Sequence, residues 1–432
     1  MLEAGAMEKK KNVKLAASAV DGPASNREGS LELRISAPGK VILFGEHSVV
    51  YGKTALAASL KLRSTLILRE LPEPADGGCC QIEMPGVGLS IQLPADRLQE
   101  SLLAPEGEQA ARDDSDEEPD HAQLLERARD FTREHVKGAA TLDQRQRCSL
   151  ECALYALTRV AWAEDLCQLP TAGFLLRLTT ELPLGAGLGS SASFSVCLVA
   201  GFLLWARLRR CGKLMLDSQT LRQVSCHALG CERIMHGTPS GVDNEVCTFG
   251  SVIEFRKGEE PILLPLSAGR LAELRVLLVD TRVARSTKLI VDRLARLHVQ
   301  YPEVFDAIFE AIDRLSRRVI DIVKAPSSED AQLLEACRQL SALIDVNQGL
   351  LTACQTSHPT IDSICAIARR HGLSAKLTGA GGGGFVYALV PPDMPTDKLH
   401  SITCELTANG FSVVETSIGG SGLDVAIAYD NH

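Results

Sequence analysis

The chain has 432 residues, 45% of them hydrophobic and 23% charged, enough apolar material for a large core, so disorder is excluded for the chain as a whole. At roughly 150 residues per domain this length fits two or three domains. Lys plus Arg number 45 against 54 Asp plus Glu, a net charge of −9. With no basic block longer than Lys9-Lys10-Lys11, the electrostatic footprint of a nucleic-acid binder is missing.

The longest apolar run, Phe194 to Ala206, is shorter than the roughly 20 residues that span a bilayer, and it predicts a buried helix. Charges without an apolar stretch at the N-terminus argue against a secretory signal. The 14 cysteines are scattered through apolar patterns with no CxxC pair, which points to reduced, buried thiols in a cytosolic protein. Cys226, His227, Cys231 and His236 look like a zinc set, but residues five apart on a helix do not share a face, so no metal is assigned to them.

Residues 1–30 are polar and patternless, a mobile tail by expectation. Leu31 to Ile35 alternates as a strand, and further short strands are predicted at Thr65–Leu68 and Leu89–Leu93. The acidic stretch 111–120 reads as a solvated loop without chemistry. Helical periodicity covers Gln123–Val136 and Leu150–Leu166. A strand at Phe174–Leu178 runs into PLGAGLGSSAS (183–193), from which a helix extends to about Arg210. A helix over Leu221–His236 leads to a loop at 237–244, and then to a predicted hairpin of Glu245–Phe249 and Val252–Phe255 around Gly250-Ser251. Arg256–Arg270 reads as an interdomain connection, dividing the chain into units at 31–265 and 266–432.

The second unit opens with a strand at 274–280, followed by helices over Thr287–Val299, Glu303–Val323 and Glu329–Thr356, and one starting at Pro359 as an N1 proline. Strands are predicted near Ala375–Leu377, Phe385–Val390, Phe411–Thr416 and Leu423–Ala428, with a helix near Thr396–Ala408. Helices and strands fall in clustered runs, which favours an α+β fold.

Four features carry chemistry. In PLGAGLGSSAS, Gly185, Gly187 and Gly189 free the backbone to present N–H groups at a helix N-terminus, a cradle for nucleotide phosphates. Ser190 and Ser191 can cap that helix or ligate a magnesium ion riding on the phosphates. It is not a Walker A loop; Gly52-Lys53-Thr54 ends like one, but His47 stands where that motif needs Gly. The second feature is Lys40 after Pro38-Gly39, with Gly45-Glu46-His47 beyond it; taken alone, Lys40 reads as a surface lysine and His47 as a loop histidine. The third is Glu232, one turn before its helix ends, with Asp243 in the following loop: taken singly each reads equally as an exposed charge or a cap, whereas together they can supply a metal ligand and a proton acceptor, as phosphoryl transfer from ATP to an alcohol requires. The fourth is LTGAGGGGF (377–385), whose glycines suit a close backbone approach.

These motifs, in this order, resemble the GHMP family of small-molecule kinases, and within it the members that phosphorylate mevalonate. The likeness covers about Ser36 to Ala428, with APGKVILFGEHSVVYGK (37–53), PLGAGLGSSAS, ERIMHGTPSGVDN (232–244) and LTGAGGGGF all matching. The resemblance implies a two-domain fold: a ribosomal-protein-S5-like N-terminal α/β domain beside a ferredoxin-like C-terminal domain, with the active site in the cleft between them. It implies ATP and Mg²⁺ as cofactors and transfer of phosphate to the 5-hydroxyl of mevalonate, on the route to isoprenoids and sterols. By the same resemblance Asp243 is the catalytic base with Lys40 beside it, and Ser191 and Glu232 hold Mg²⁺. Lys40, Thr180, Gly185, Ala186, Gly187, Leu188, Gly189, Ser190 and Ser191 bind the nucleotide. Glu46, His47, Asp243, Thr287 and Ala380 lie at the substrate, with Ala380 to Gly384 lining the site. A homodimer inhibited by isoprenoid diphosphates that compete with ATP is also implied. Phe44 and Thr238 depart from the pattern, standing where His is often found and where Asn is expected. Phosphomevalonate, galactose or homoserine are alternative acceptors on the same fold. A non-catalytic sensor is a further alternative, but it calls for loss of Lys40, Ser191, Glu232 or Asp243, and all four are present.

Overall fold

The computed structural model describes residues 30–72, 78–103, 120–166, 168–169, 171–237, 239–264, 274–284, 287–325 and 329–430. The expected N-terminal tail, most of the acidic stretch, the end of the interdomain connection and Thr238 lie outside them. The N-terminal half opens with two long strands, β1 (Ser30–Phe44) and β2 (Ala55–Glu70), paired antiparallel along most of their length. The expected strands at 31–35 and 65–68 are parts of these. In β1 alternation holds only at the start, with Leu31, Leu33 and Ile35 buried; from Ala37 onward the strand is covered on both faces, so its inner part carries no period-2 signal.

Next come β3 (Cys79–Met84), absent from the expected set, and β4 (Leu89–Pro94), then α1 (Ala95–Leu102) and α2 (His121–His135). Helix α3 (Gln144–Ala163) starts at a capping box of Asp143 and Gln146. Strand β5 (Phe174–Thr180) lies on β2 and leads to α4 (Ser190–Cys211). Helix α4 is long and apolar enough to cross a membrane by length and composition, but 83% of that stretch is buried inside the protein. It packs across β1 and β2 so closely that a Cβ on Gly201 would stand 2.3 Å from Leu66. Trp205, on the same helix, is fully buried and donates from its indole to Glu70, a carboxylate also paired with Arg209.

Helix α5 (Ser218–His236) is capped by Asp217, whose carboxylate accepts from Thr220 N at 2.8 Å. Residues 242–249, expected as a loop end and a strand, form helix α6 (Val242–Phe249). Gly241 at φ 84° starts it, Asp243 and Glu245 place negative charge in its first turn, and Val242, Val246 and Cys247 bury one face. The short apolar run at 246–249 resembled a strand because four residues cannot show a helical period. The hairpin that does form joins β6 (Val252–Phe255) to β7 (Ile262–Leu264).

The second half contains β8 (Leu274–Asp280), α7 (Thr287–Gln300), α8 (Pro302–Lys324), α9 (Asp330–Ala353), α10 (Pro359–Arg370), β9 (Ala375–Leu377), β10 (Phe385–Val390), α11 (Thr396–Ala408) and β11 (Ser412–Ile418). Its strands lie in the spatial order β11-β8-β10-β9, all antiparallel. Fourth, first, third, second, with helices in both crossovers, is the ferredoxin-like arrangement. Ile418 of β11 meets Leu60 of β2, joining the two sheets. The last strand, β12 (Asp424–Asp430), returns to the N-terminal half and pairs with β1 from Ser36 back to Ser30. The fold is α+β, and Glu46 and His47 of the first motif meet residues of the C-terminal half.

Candidate active site

The site is built on a bulge. The β1–β2 register shifts between Pro38 and Lys40, so Lys40 is re-aimed at the point where the strand passes the glycine loop. Lys40 N donates to Leu188 O at 2.8 Å. A Cβ on Gly39 would lie 2.4 Å from the Leu182 side chain and 2.7 Å from Leu188 O; one on Gly189 would lie 2.7 Å from the Lys40 side chain. Glycine at both positions is what lets the loop close over the lysine. Gly189, at φ 74°, is the N-cap of α4, and no side chain caps that end. The expected capping by Ser190 or Ser191 is therefore replaced by a left-handed glycine, and both serines sit inside the first turn. Thr180, at the end of β5, accepts from Ser64 Oγ at 2.9 Å and from Leu182 N at 3.1 Å, fixing the start of the loop.

Lys40 is buried, and its ammonium lies 3.0 Å from the Asp243 carboxylate. Asp243 comes from the first turn of α6 rather than a loop, and its side chain remains 32% exposed. Glu232, one turn before the end of α5, is buried, and among the described residues its Oε1 has no hydrogen-bond partner. Burial first, and the negative charge of Asp243 second, push its carboxyl up to about 7, against the opposing pull of the Ser191 hydroxyl and Lys40. Ser191 Oγ also lies 3.0 Å from His236 Nε2. Burial holds the His236 imidazole below its ordinary value, although Asp243 works the other way. Lys40, Ser191, Glu232 and Asp243 thus form one cluster at the glycine loop, with His236 as a fifth member. His236 stands four residues after Glu232 on α5, so the helical period that argued against a zinc set also placed these two side chains together.

The remaining candidates form a second cluster. Glu46 is buried and paired with Lys376, a fully buried lysine of β9 lying over the rings of Phe44 and Tyr387. Asn347 of α9 donates to the same carboxylate at 3.4 Å. His47 holds a left-handed backbone, φ 62°, and its Nε2 lies 2.9 Å from Ala380 O. Burial lowers its affinity for a proton, and Lys376 adds to this. Ile42 N donates to Thr378 Oγ1, whose hydroxyl returns to Ile42 O. Glu46, His47 and Ala380 therefore tie the first motif to the last across the two halves, with the Glu46 carboxylate committed to Lys376. Thr287 is exposed at the start of α7, a helix that leans on the glycine run through Ile290 beside Gly382.

Sequence reasoning missed Lys376, Asn347 and Asn244, and weighed His236 only as a zinc ligand. Asn244 follows Asp243, is buried, and among the described residues has neither amide atom paired. Lys376 carried no signal, because a lysine before a glycine run reads as a surface residue. Cys226 is exposed and Cys231 buried, on different faces of α5. Cys211 and Cys404 are also exposed, so the expectation of buried thiols fails for these three.

Residues 151–251 match the GHMP kinases N terminal domain and residues 322–404 match GHMP kinases C terminal. The mevalonate kinase of Mus musculus is 34% identical over 413 residues, covering 90% of this chain and 94% of its own. That of Dictyostelium discoideum is 34% identical over 423 residues, 91% of this chain and 97% of its own. The crystal structure of Methanococcus jannaschii mevalonate kinase shares the fold, with a TM-score of 0.62 at 22% identity over 90% of this chain and 98% of that one. With relatives alike over nearly the whole length, and a glycine-rich loop, a buried lysine and two carboxylates in one cluster, the chain belongs to the mevalonate kinases of the GHMP kinase family.

Proposed function

We propose that the chain transfers the γ-phosphoryl group of ATP to the 5-hydroxyl of mevalonate. The observation that carries this reading is the Lys40–Asp243 pair: a solvent-reachable carboxylate held 3.0 Å from a buried ammonium, beside a glycine-rich helix N-terminus. The loop from Gly185 to Ser191 receives the triphosphate through backbone N–H groups and the positive end of α4. Asp243 orients the alcohol and accepts its proton as the new O–P bond forms and ADP departs. The transition state is loose, so positioning and charge stabilisation supply most of the acceleration, and proton acceptance comes late.

The residues present fit a divalent cation. Glu232 Oε1 is buried without a partner among the described residues, its carboxyl is pushed up to about 7, and the Ser191 hydroxyl lies against it. Hard oxygen donors suit Mg²⁺, which takes one or two protein ligands and completes its shell with phosphates and water. Ser191 and Glu232 are the ligands in this reading, and the cation supplies charge neutralisation on the phosphates when bound. Geranyl and farnesyl diphosphate offer a diphosphate to the same loop, which supports inhibition competitive with ATP. Family membership supports a homodimer working in the cytosol.

The test is ADP release by purified protein offered mevalonate, phosphomevalonate, galactose and homoserine in parallel. Turnover with mevalonate is expected to dominate; preference for another acceptor moves the chain elsewhere among the GHMP kinases.

A further inference from the structure

Ser191 Oγ has one proton and two neighbours able to accept it: the Glu232 carboxylate and His236 Nε2, the latter at 3.0 Å. Ser191 and Glu232 are the cation ligands of the proposed phosphoryl transfer. A hydroxyl oxygen that ligates a cation must turn its proton away from the ion. It cannot then send that proton to Glu232, whose carboxylate faces the same ion. Among the described residues His236 Nε2 is the remaining acceptor recorded for this hydroxyl.

We propose that His236 is the positioning residue of the cation site, a role that rests on Ser191 and Glu232 being its ligands. It accepts the Ser191 hydroxyl proton at Nε2, in the tautomer that carries its own proton on Nδ1, and so aims a lone pair of Ser191 Oγ at the ion. The placement suits this task. His236 is the last residue of α5 and Glu232 stands one turn earlier on the same face, so one helix end sets both the ligand and the group that orients its fellow ligand. Ser191 approaches from a different helix, the first turn of α4. The α4–α5 packing thereby fixes how the hydroxyl is presented.

The experiment is a titration of Mn²⁺ by electron paramagnetic resonance, in the presence of a non-hydrolysable ATP analogue, on the full chain and on Ser191→Ala, Glu232→Gln, His236→Phe, His236→Gln and the Ser191→Ala/His236→Phe double variant. Metal-free binding of the analogue is measured alongside. Partners that orient a ligand are worth roughly 10-fold or more in metal affinity. His236→Phe is therefore expected to weaken Mn²⁺ binding by about 10-fold, with metal-free nucleotide binding unchanged. His236→Gln, whose amide oxygen reaches the Nε2 position, should keep most of the affinity. The double variant should bind Mn²⁺ no more weakly than Ser191→Ala, because His236 acts only through that hydroxyl.

A full His236→Phe loss repeated on the Ser191→Ala background overturns the proposal, as does wild-type affinity in His236→Phe while Ser191→Ala is weakened. Unchanged binding in both Ser191→Ala and Glu232→Gln removes the cation site itself, a different failure. Should His236→Phe not fold, the contrast between His236→Gln and His236→Asn decides. Asn reaches only the Nδ1 position, so equal affinity in the two removes the role.

Discussion

Three lysine–carboxylate pairs are anchored in the first motif, and the two whose lysines are buried differ in solvent access. Lys40–Asp243 leaves its carboxylate 32% exposed, whereas Lys376–Glu46 is sealed, with both side chains at 0%. The charges and the chemical groups are alike. An open carboxylate can meet a substrate hydroxyl and take its proton; a sealed one can only hold two segments together. In the sealed pair the lysine also lies over two aromatic rings and its partner takes a bond from Asn347, as a desolvated charge requires. Solvent access, more than charge, distinguishes the two pairs.

The largest effect is expected at the open pair. Asp243→Asn keeps the size and removes the charge and basicity, so kcat should fall by roughly 10² to 10⁴, about 3 to 5 kcal/mol in barrier, with ATP affinity and Tm nearly unchanged. Lys40→Met should also lower kcat, and the double variant should lose less than the two single losses combined. If Asp243→Asn keeps more than about a tenth of wild-type kcat, the open pair is no more reactive than the sealed one.

At the sealed pair the damage should appear in stability instead. Glu46→Ala strands a buried ammonium and should cost about 3 to 5 kcal/mol in denaturant unfolding, whereas exchanging both partners for apolar residues of similar volume should recover most of it. A Glu46→Ala protein of unaltered stability with lowered affinity for mevalonate would return Glu46 to the substrate and erase the distinction.

Glu232 offers a pH test of the same idea, as a buried carboxylate without a lysine of its own. Its folded value of about 7 lies above the ordinary 4.5, so the folded protein holds this proton more tightly than the unfolded chain does. The contribution is fully present below about pH 4.5 and is lost as pH climbs through 7, on the order of 3 kcal/mol at most. In metal-free buffer, unfolding should thus show a decline between pH 5 and 8 that Glu232→Gln flattens and Mg²⁺ above pH 7 offsets. The smallest effect belongs to Lys53–Glu310, a third pair at 2.8 Å whose side chains are 29% and 43% exposed. Lys53→Met should leave Tm within experimental scatter; a large drop would mean that exposure is not what grades these pairs.

Sequence patterns served some elements better than others. Helix α10 begins at Pro359 and α11 spans Thr396–Ala408, because a proline at N1 and a long amphipathic period are local signals. The long reach of β1 and β2 was hidden, since strands buried on both faces lose their alternation. Helix α6 depends on packing against α4 and β1, which no window of eight residues contains. In the site, the grouping of Lys40, Ser191, Glu232 and Asp243 was legible through motif order. What was illegible was burial: Glu46 and Lys376 find each other across 330 residues, and nothing local to either marks it as dry. His236 was in view but considered only as a metal ligand, and its neighbour Ser191 is 45 residues away.

The pairing of β12 with β1 sets the order in which the protein can be completed. Residues 424–430 return to residues 30–36, and β11 reaches β2 through Ile418 and Leu60. During synthesis the edge of β1 that β12 will cover stays open until residues 424–430 have been made, nearly 400 residues later, and Leu31, Leu33 and Ile35 lie along that edge. An unpaired apolar strand edge is a template for association with other chains. The nascent chain should therefore be most vulnerable to aggregation late in translation, and removal of β12 should leave a protein that forms its C-terminal sheet yet fails in solubility.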